Sequence, residues 1–367
     1  MSTSTNPLDI PPFQVQPLIP GVVIEDKGDS TRNASSTTPS PPRITCAQAL
    51  ASEIYVGCSN GELIRYALQA DDPEVLESYM ILSRQSLPNE KPIDNIIILP
   101  SLSRLLVQSG TYFLGTLSSG NLSRILDTLD RQIHFYMLPS LDPLTTIKPV
   151  RNVVTFAVDH RHLQRPAVVV NEPVEFSVIK RTGIAMFLIR NDRLFYQKEI
   201  PLPANSPPAL LAKRVGHALC YADNEYYNMV DLEQASLYQL LPLRQVVEET
   251  PWEVKPVIEV IGENEFLILS WTGASALGVF ITGDGDPVRG LDYPYVTSLL
   301  PNETIEVHSV ETQSIVQVVP PPAAANSRAR LGLVASLQGY LVPSTNSSGK
   351  MRRVKVGLVR KSVEVET

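Results

Sequence analysis

Cysteine is scarce in this chain, with only Cys46, Cys58 and Cys220 present. An odd number without metal-type spacing argues against a disulfide framework and favours a reducing compartment. Long apolar runs are missing as well, and none approaches the roughly 20 residues a membrane-spanning helix needs. The opening residues MSTSTNPLDIPPF have neither the basic start nor the apolar centre of a secretion signal. The expectation is a cytosolic protein. No glycine-rich phosphate loop precedes a helical pattern, so nucleotide hydrolysis has no visible apparatus. Net positive charge is also lacking. A balance of -7 argues against nucleic acid as the main partner, since phosphate binding needs clustered Lys and Arg.

Apolar residue and proline are plentiful. Hydrophobic residues make up 43% and charged residues 19%, a globular composition. Thirty-one prolines imply many chain reversals and little helix. Residues 1–42 are rich in Pro, Ser and Thr and read as a largely disordered lead-in with an apolar island (Ile10, Phe13, Val15, Leu18, Ile19, Val22, Val23). From Ile44 onward, short apolar runs alternate with Gly, Asn, Asp and Pro. Ser59-Asn60-Gly61 between two such runs is a strong hairpin signal. Strands are expected at 53–58, 62–68, 78–82, 93–99, 105–109, 112–117, 132–137, 153–158, 167–170 and 174–179. They continue at 184–190, 194–200, 209–212, 217–221, 226–230, 237–241, 265–270, 277–281, 295–300, 304–308, 315–319, 331–337, 340–342 and 353–359. About two dozen strands in groups of four predict an all-β chain, a β-propeller of seven or six blades with a disordered or extended amino-terminal lead-in. The propeller is expected over residues 43–360, followed by a tail at 361–367. Leu122, Ile125 and Leu129 have helical spacing, which predicts one short helix in a loop at 121–131.

Candidate chemistry is thin. Asp284-Gly285-Asp286 suggests a cation loop, but Val288, Arg289 and Tyr295 occupy positions where a calcium loop needs an oxygen ligand, Gly and Glu. It reads as a turn. The stretch at 273–278, GASALG, resembles a nucleophile elbow only until its second Gly falls one residue late. His160-Arg161-His162 places two imidazoles on one face of an extended segment, yet no carboxylate or Cys cluster accompanies them and a solvated loop is the plainer reading. His134, His217 and His308 stand singly in strand-like runs. No catalytic residue, metal, cofactor or small-molecule substrate is expected. The charge pattern is more informative, because Arg328, Arg330, Lys350, Arg352, Arg353, Lys355, Arg360 and Lys361 occur with no Asp or Glu among them. Such a run is a solvated strand edge, or a contact for anionic lipid or for an acidic protein surface. The contact candidates are Lys350, Arg352, Arg353, Lys355, Arg360 and Lys361.

Several segments together resemble a known family. They are Ile54-Tyr55-Val56-Gly57 with Asn60-Gly61 and Tyr66, Glu265-Phe266-Leu267, Gly278-Val279-Phe280, residues 285–290 (GDPVRG), Tyr293-Pro294-Tyr295-Val296 and residues 304–308 (TIEVH). The chain resembles the citron homology (CNH) domain over roughly Ile44 to Val319. The similarity is to the amino-terminal version found in the TGF-β-receptor-associated-protein type of vacuolar sorting subunit, the Rab-binding member of the endosomal CORVET tethering complex. The resemblance implies a β-propeller without catalysis that binds a Rab GTPase or sister subunits, peripheral on endosomal or vacuolar membranes. Two departures stand out. Gly290 reaches Tyr293 through Leu291 and Asp292 alone, where the family has a longer connection. No helical repeat follows Val359, so the chain reads as an amino-terminal module.

Overall fold

The computed structural model describes residues 13–19, 42–68, 79–88, 90–110, 131–163, 171–190, 192–203, 206–245, 254–272, 276–283, 295–299, 303–309, 314–321, 334–336, 339–343 and 348–353. Residues 121–130 of the helix expected at 121–131, the strands at 112–117 and 167–170, the turn at 284–290 and the short link at 291–292 lie outside them. So do residues 1–12 and 20–41 of the lead-in.

Among the described residues there are 26 strands and two single 3-10 turns, and no α-helix. Strand β1 (Phe13–Ile19) falls in the apolar island of the lead-in. A first sheet is formed by β2 (Ile44–Leu50), β3 (Glu53–Cys58), β4 (Glu62–Leu68) and β5 (Tyr79–Ser86). The second has β6 (Ile93–Leu99), β7 (Arg104–Ser109), β8 (Gln132–Met137) and β9 (Val150–Arg151). The third has β10 (Thr155–Val158), β11 (Val174–Ile179), β12 (Gly183–Arg190) and β13 (Arg193–Pro201). The fourth has β14 (Leu211–Val215), β15 (Ala218–Ala222), β16 (Tyr226–Asp231) and β17 (Ser236–Pro242). A fifth sheet of β18 (Ile258–Gly262), β19 (Glu265–Trp271) and β20 (Ala276–Thr282) has three strands, as does the sixth, of β21 (Tyr295–Leu299), β22 (Ile305–Ser309) and β23 (Ser314–Val319). The seventh contains β24 (Val334–Ser336), β25 (Gly339–Pro343) and β26 (Ser348–Arg353), with β1 joined to β26. Every pairing within these sheets for which a register is given is antiparallel, as expected for strands joined by short turns.

The chain divides into two compact units, one of Val23–Leu68 and Met80–Asp292, the other of Met1–Val22, Gln69–Tyr79 and Tyr293–Thr367. In the larger unit the first strands of successive sheets lie side by side, β2 against β6, β10 against β14 and β14 against β18. Each pair of sheets then shares a core. Tyr55 and Leu63 of the first meet Ile96, Ile98 and Val107 of the second. Leu106 and Phe135 of the second meet Phe156, Phe176 and Phe187 of the third. Ile184 and Met186 of the third meet Leu219 and Tyr221 of the fourth, and Tyr227 and Met229 of the fourth meet Phe266 and Ile268 of the fifth. A strand packed on both faces cannot alternate apolar with polar, so β15, ALCYA, is buried along its whole length. Outer strands have less to cover and are mostly exposed, as β13 is. Full burial of such a side chain contributes about 1.5–3 kcal/mol.

The predicted hairpin at Asn60-Gly61 forms between β3 and β4. Gly61 has φ of +80°, and an added Cβ would stand 2.7 Å from the carbonyl carbon of Glu90, so position 61 admits only glycine without strain.

In the smaller unit, Ile305 and Val307 of β22 are buried. Pairing of β1 with β26 sets Phe13 opposite Arg353 and Ile19 opposite Ser348, with an irregularity between Pro17 and Ile19. Pro17 lacks an N–H, and β1 is the outermost strand of its sheet, where proline is tolerated. Residues 354–359 of the last expected strand lie outside the described residues, and β26, which ends at Arg353, was not anticipated. Its residues Ser348 to Lys350, which carry no apolar side chain, hide the strand from a hydrophobicity pattern, whereas backbone pairing to β1 and β25 fixes it. Strand β2 and the short strands β9 and β18 were also not anticipated.

Candidate functional site: a cleft over a buried arginine network

The clearest concave site in the larger unit lies where turns of the third, fourth and fifth sheets meet. It is an open cleft of about 580 Å³ lined by His160 and Arg161, Val215 to Ala218, Asp231, Glu233, Gly262 to Asn264 and Gly283. Each lining segment ends a strand: β10, β14, β16, β18 or β20. Turns at strand ends are where propeller-type scaffolds present variable side chains.

Beneath one wall sits a set of charges that the sequence reading missed. Arg214 in β14 is 1% exposed and Asp159, just after β10, is 0% exposed. The two residues form a parallel bridge that joins the third and fourth sheets. Arg214 donates from Nε to the Gly216 carbonyl (2.9 Å), from Nη1 to Ser177 Oγ (3.2 Å) and from Nη2 to Glu175 Oε2 (2.6 Å). Asp159 caps the 3-10 turn His160–His162, accepting from the Arg161 N–H at 3.1 Å and from its guanidinium at 2.5 Å. Gly216 has φ of +55°, the left-handed conformation that favours glycine, and its N–H also reaches Asp159.

These contacts set the ionisation. Burial raises the Asp159 carboxyl, but the Arg161 guanidinium and the N–H groups of Arg161 and Gly216 outweigh it and hold the carboxyl below its ordinary range. Burial lowers the Arg214 guanidinium, partly offset by Glu175. Burial, with Lys213 nearby, lowers the His160 imidazole, so it lines the cleft neutral near pH 7. His217 and Glu233 are exposed at the mouth with nitrogen and oxygen 3.9 Å apart. Asp231 is occupied in shaping its turn, accepting from the N–H groups of Glu233 and Gln234.

The expected candidates fall into three groups. His160-Arg161-His162 is a 3-10 turn rather than an extended segment, held by Asp159, and His162 Nδ1 faces Glu172 at 3.9 Å. Among the described residues no three His, Cys, Asp or Glu side chains come together around a metal position. Lys350, Arg352 and Arg353 are in β26, an inner strand flanked by β1 and β25 rather than a sheet edge. Lys355, Arg360 and Lys361 lie outside the described residues. Cys46, Cys58 and Cys220 are free, and burial pushes the Cys58 and Cys220 thiols up to about 12. Thiolate chemistry therefore has no support at either.

Comparisons with known proteins agree with the resemblance read from the residues. The chain is 25% identical over 292 residues to Transforming growth factor-beta receptor-associated protein 1 of Mus musculus, a match spanning 76% of this chain and 30% of that protein. It is 20% identical over 295 residues to Vacuolar protein sorting-associated protein 3 of Saccharomyces cerevisiae, spanning 74% of this chain and 25% of the relative. The AfRom2 CNH domain superposes with a TM-score of 0.51 and 15% identity, over 88% of this chain and 98% of that one. The fold is a β-propeller. A chain in a crystal structure of the Mitotic Checkpoint Complex gives a TM-score of 0.53 with 11% identity, over 88% and 97%. No protein-family model matches the chain. The matches thus cover under a third of each curated relative's length, and those relatives are named for association and sorting, not for a reaction.

Proposed function

We propose that this chain is a non-catalytic interaction module of an endosomal or vacuolar membrane-tethering complex, binding a Rab-family GTPase or sister subunits during vesicle fusion and endosome-to-vacuole transport. The observation that carries the reading is the match to the receptor-associated and vacuolar sorting proteins across about three quarters of this chain. The cleft supports it. Asp159 and Arg214 are consumed by structural contacts, and what faces solvent is an open concavity of mixed polar and apolar lining formed by several turns, a geometry that suits protein docking better than bond chemistry.

The test is capture of purified Rab GTPases, loaded with a GTP analogue or with GDP, on the immobilised chain. Nucleotide-selective retention of an endosomal Rab supports the reading. Retention of none, with retention of sister tethering subunits, narrows it to subunit docking, and failure of both removes it.

A second reading follows from the basic run Arg328 to Lys361 in a chain of net charge -7. Lys350, Arg352, Arg353, Lys355, Arg360 and Lys361 contact anionic headgroups and hold the protein peripherally on the membrane. Liposome binding should then fall with added salt and with charge reversal at Arg352, Arg353 and Lys355. Binding indifferent to both rules it out.

A further inference from the structure

The outer edge of the third sheet carries an unusual combination of residues. Strand β13 is nine residues long, with β12 on one side and no strand on the other among the described residues. Unpaired strand edges are templates for another chain and are normally guarded by bulges or lysines. Here both guards are in the carboxy-terminal half, where the register shifts between Met186 and Phe187, leaving Gln197 extra, and Lys198 follows. The half from Arg193 to Tyr196 has neither.

That half is aromatic and cationic. Phe195 is 45% exposed and Tyr196 58% exposed. The Tyr196 ring packs edge-on against Phe187 with centroids 5.8 Å apart, so it is presented in a fixed position. Arg190 and Arg193 are cross-strand partners, both exposed, and neither has an ion-pair partner among the described residues. Like charges directly opposite each other oppose strand pairing. Asp192, next to Arg193, is nevertheless held firmly. Asp192, with φ of +55°, accepts from Nε and Nη2 of Arg104 in β7 at 3.0 and 2.7 Å. Exposed Tyr and Arg on a rigid support are the residue types that dominate interface energetics.

We propose that residues Arg193 to Tyr196 of β13 are a docking edge for an extended segment of a partner protein, added as a further strand and carrying Asp or Glu beside an apolar residue. Main-chain pairing supplies affinity, Tyr196 on one face takes the apolar side chain, and Arg190 with Arg193 on the other face selects the acidic one. Charge decides the occupant. The edge is locally positive on a molecule of net charge -7, so a second copy would add further arginines to the same edge while the acidic bodies repelled each other. The proposal stands apart from the trafficking reading and survives its failure.

The experiment uses the full chain and fluorescein-labelled hexapeptides of alternating Glu and Val, the same with Lys for Glu, and a Glu-Val version N-methylated at alternate residues. Fluorescence anisotropy should show binding of the Glu-Val peptide only. Arg190→Glu with Arg193→Glu, and separately Phe195→Ser with Tyr196→Ser, should each weaken it tenfold or more. Circular dichroism checks that the variants are folded, and Arg190→Gln with Arg193→Gln replaces any that is not. Absence of Glu-Val binding, equal binding of the N-methylated peptide, or affinity unchanged in both variants overturns the proposal. So does a dimer of the chain alone, seen by sedimentation and lost in the charge-reversal variant, which assigns the edge to a second copy.

Discussion

A guanidinium carries five N–H donors, and at Arg214 they must be satisfied almost without water because the residue is 1% exposed. Glu175, Ser177 and the Gly216 carbonyl take one hydrogen bond from each of its three nitrogens. Arg214→Ala removes the group and leaves a void between two sheets, so it should cost about 3–5 kcal/mol in urea unfolding. Glu175→Gln should cost less, since its carboxylate is 37% exposed and part of its charge is already screened. Asp159 makes stability depend on acid. Its folded-state carboxyl is held below the ordinary value of 3.8, so its contribution is complete above that value and is lost as pH falls through the lower folded one. Unfolding free energies measured from about pH 5 down to about pH 3 should decline less steeply for Asp159→Asn than for the parent chain.

At the scale of elements, the strands hold together because each inner one serves two cores. Phe176 in β11 is buried between the second and third sheets and stacks on Phe187 with centroids 5.4 Å apart. Phe176→Ala should destabilise the chain by about 3–5 kcal/mol, read as a lower urea midpoint with an unchanged slope. Polar side chains also stitch neighbouring sheets. Gln48 accepts from Ile98 N–H, Gln108 donates to the Val154 carbonyl, and Tyr227 donates to Leu269 while accepting from Val257. The apolar part of this arrangement was legible in the sequence. Strands β3, β4, β6, β8 and β11 have the bounds their residues suggested, since turn formers bracket each apolar run. The polar part was not. Arg214 meets Ser177 across 37 residues of sequence, and nothing local in LAKRV says that its Arg is buried. The His160–His162 segment looked extended because the cap that curls it, Asp159, works through a guanidinium two residues on. β26 was missed for a similar reason, its position being set by pairing with β1, distant in sequence, and with β25 rather than by its own residues.

For the molecule as a whole, the seventh sheet is the most consequential departure from a chain read strictly from one end to the other. Among the described residues β26 is the one strand that β1 pairs with. A chain lacking residues 1–22 should lose hydrogen-exchange protection across Ser348–Arg353 on the side that β1 covers, and a synthetic peptide of residues 10–22 should restore it. Unaltered protection in the truncated chain would mean that β26 is secured by β25 alone.

The same pairing imposes an order in time. Phe13 is synthesised long before its partner Arg353, because almost all of the described strands lie between them. At a synthesis rate of roughly 5–20 residues per second, β1 waits on the order of tens of seconds for the strand it pairs with. During that interval an extended apolar segment is available to chaperones or to other nascent chains, and the seventh sheet is completed only after translation of the described strands has ended.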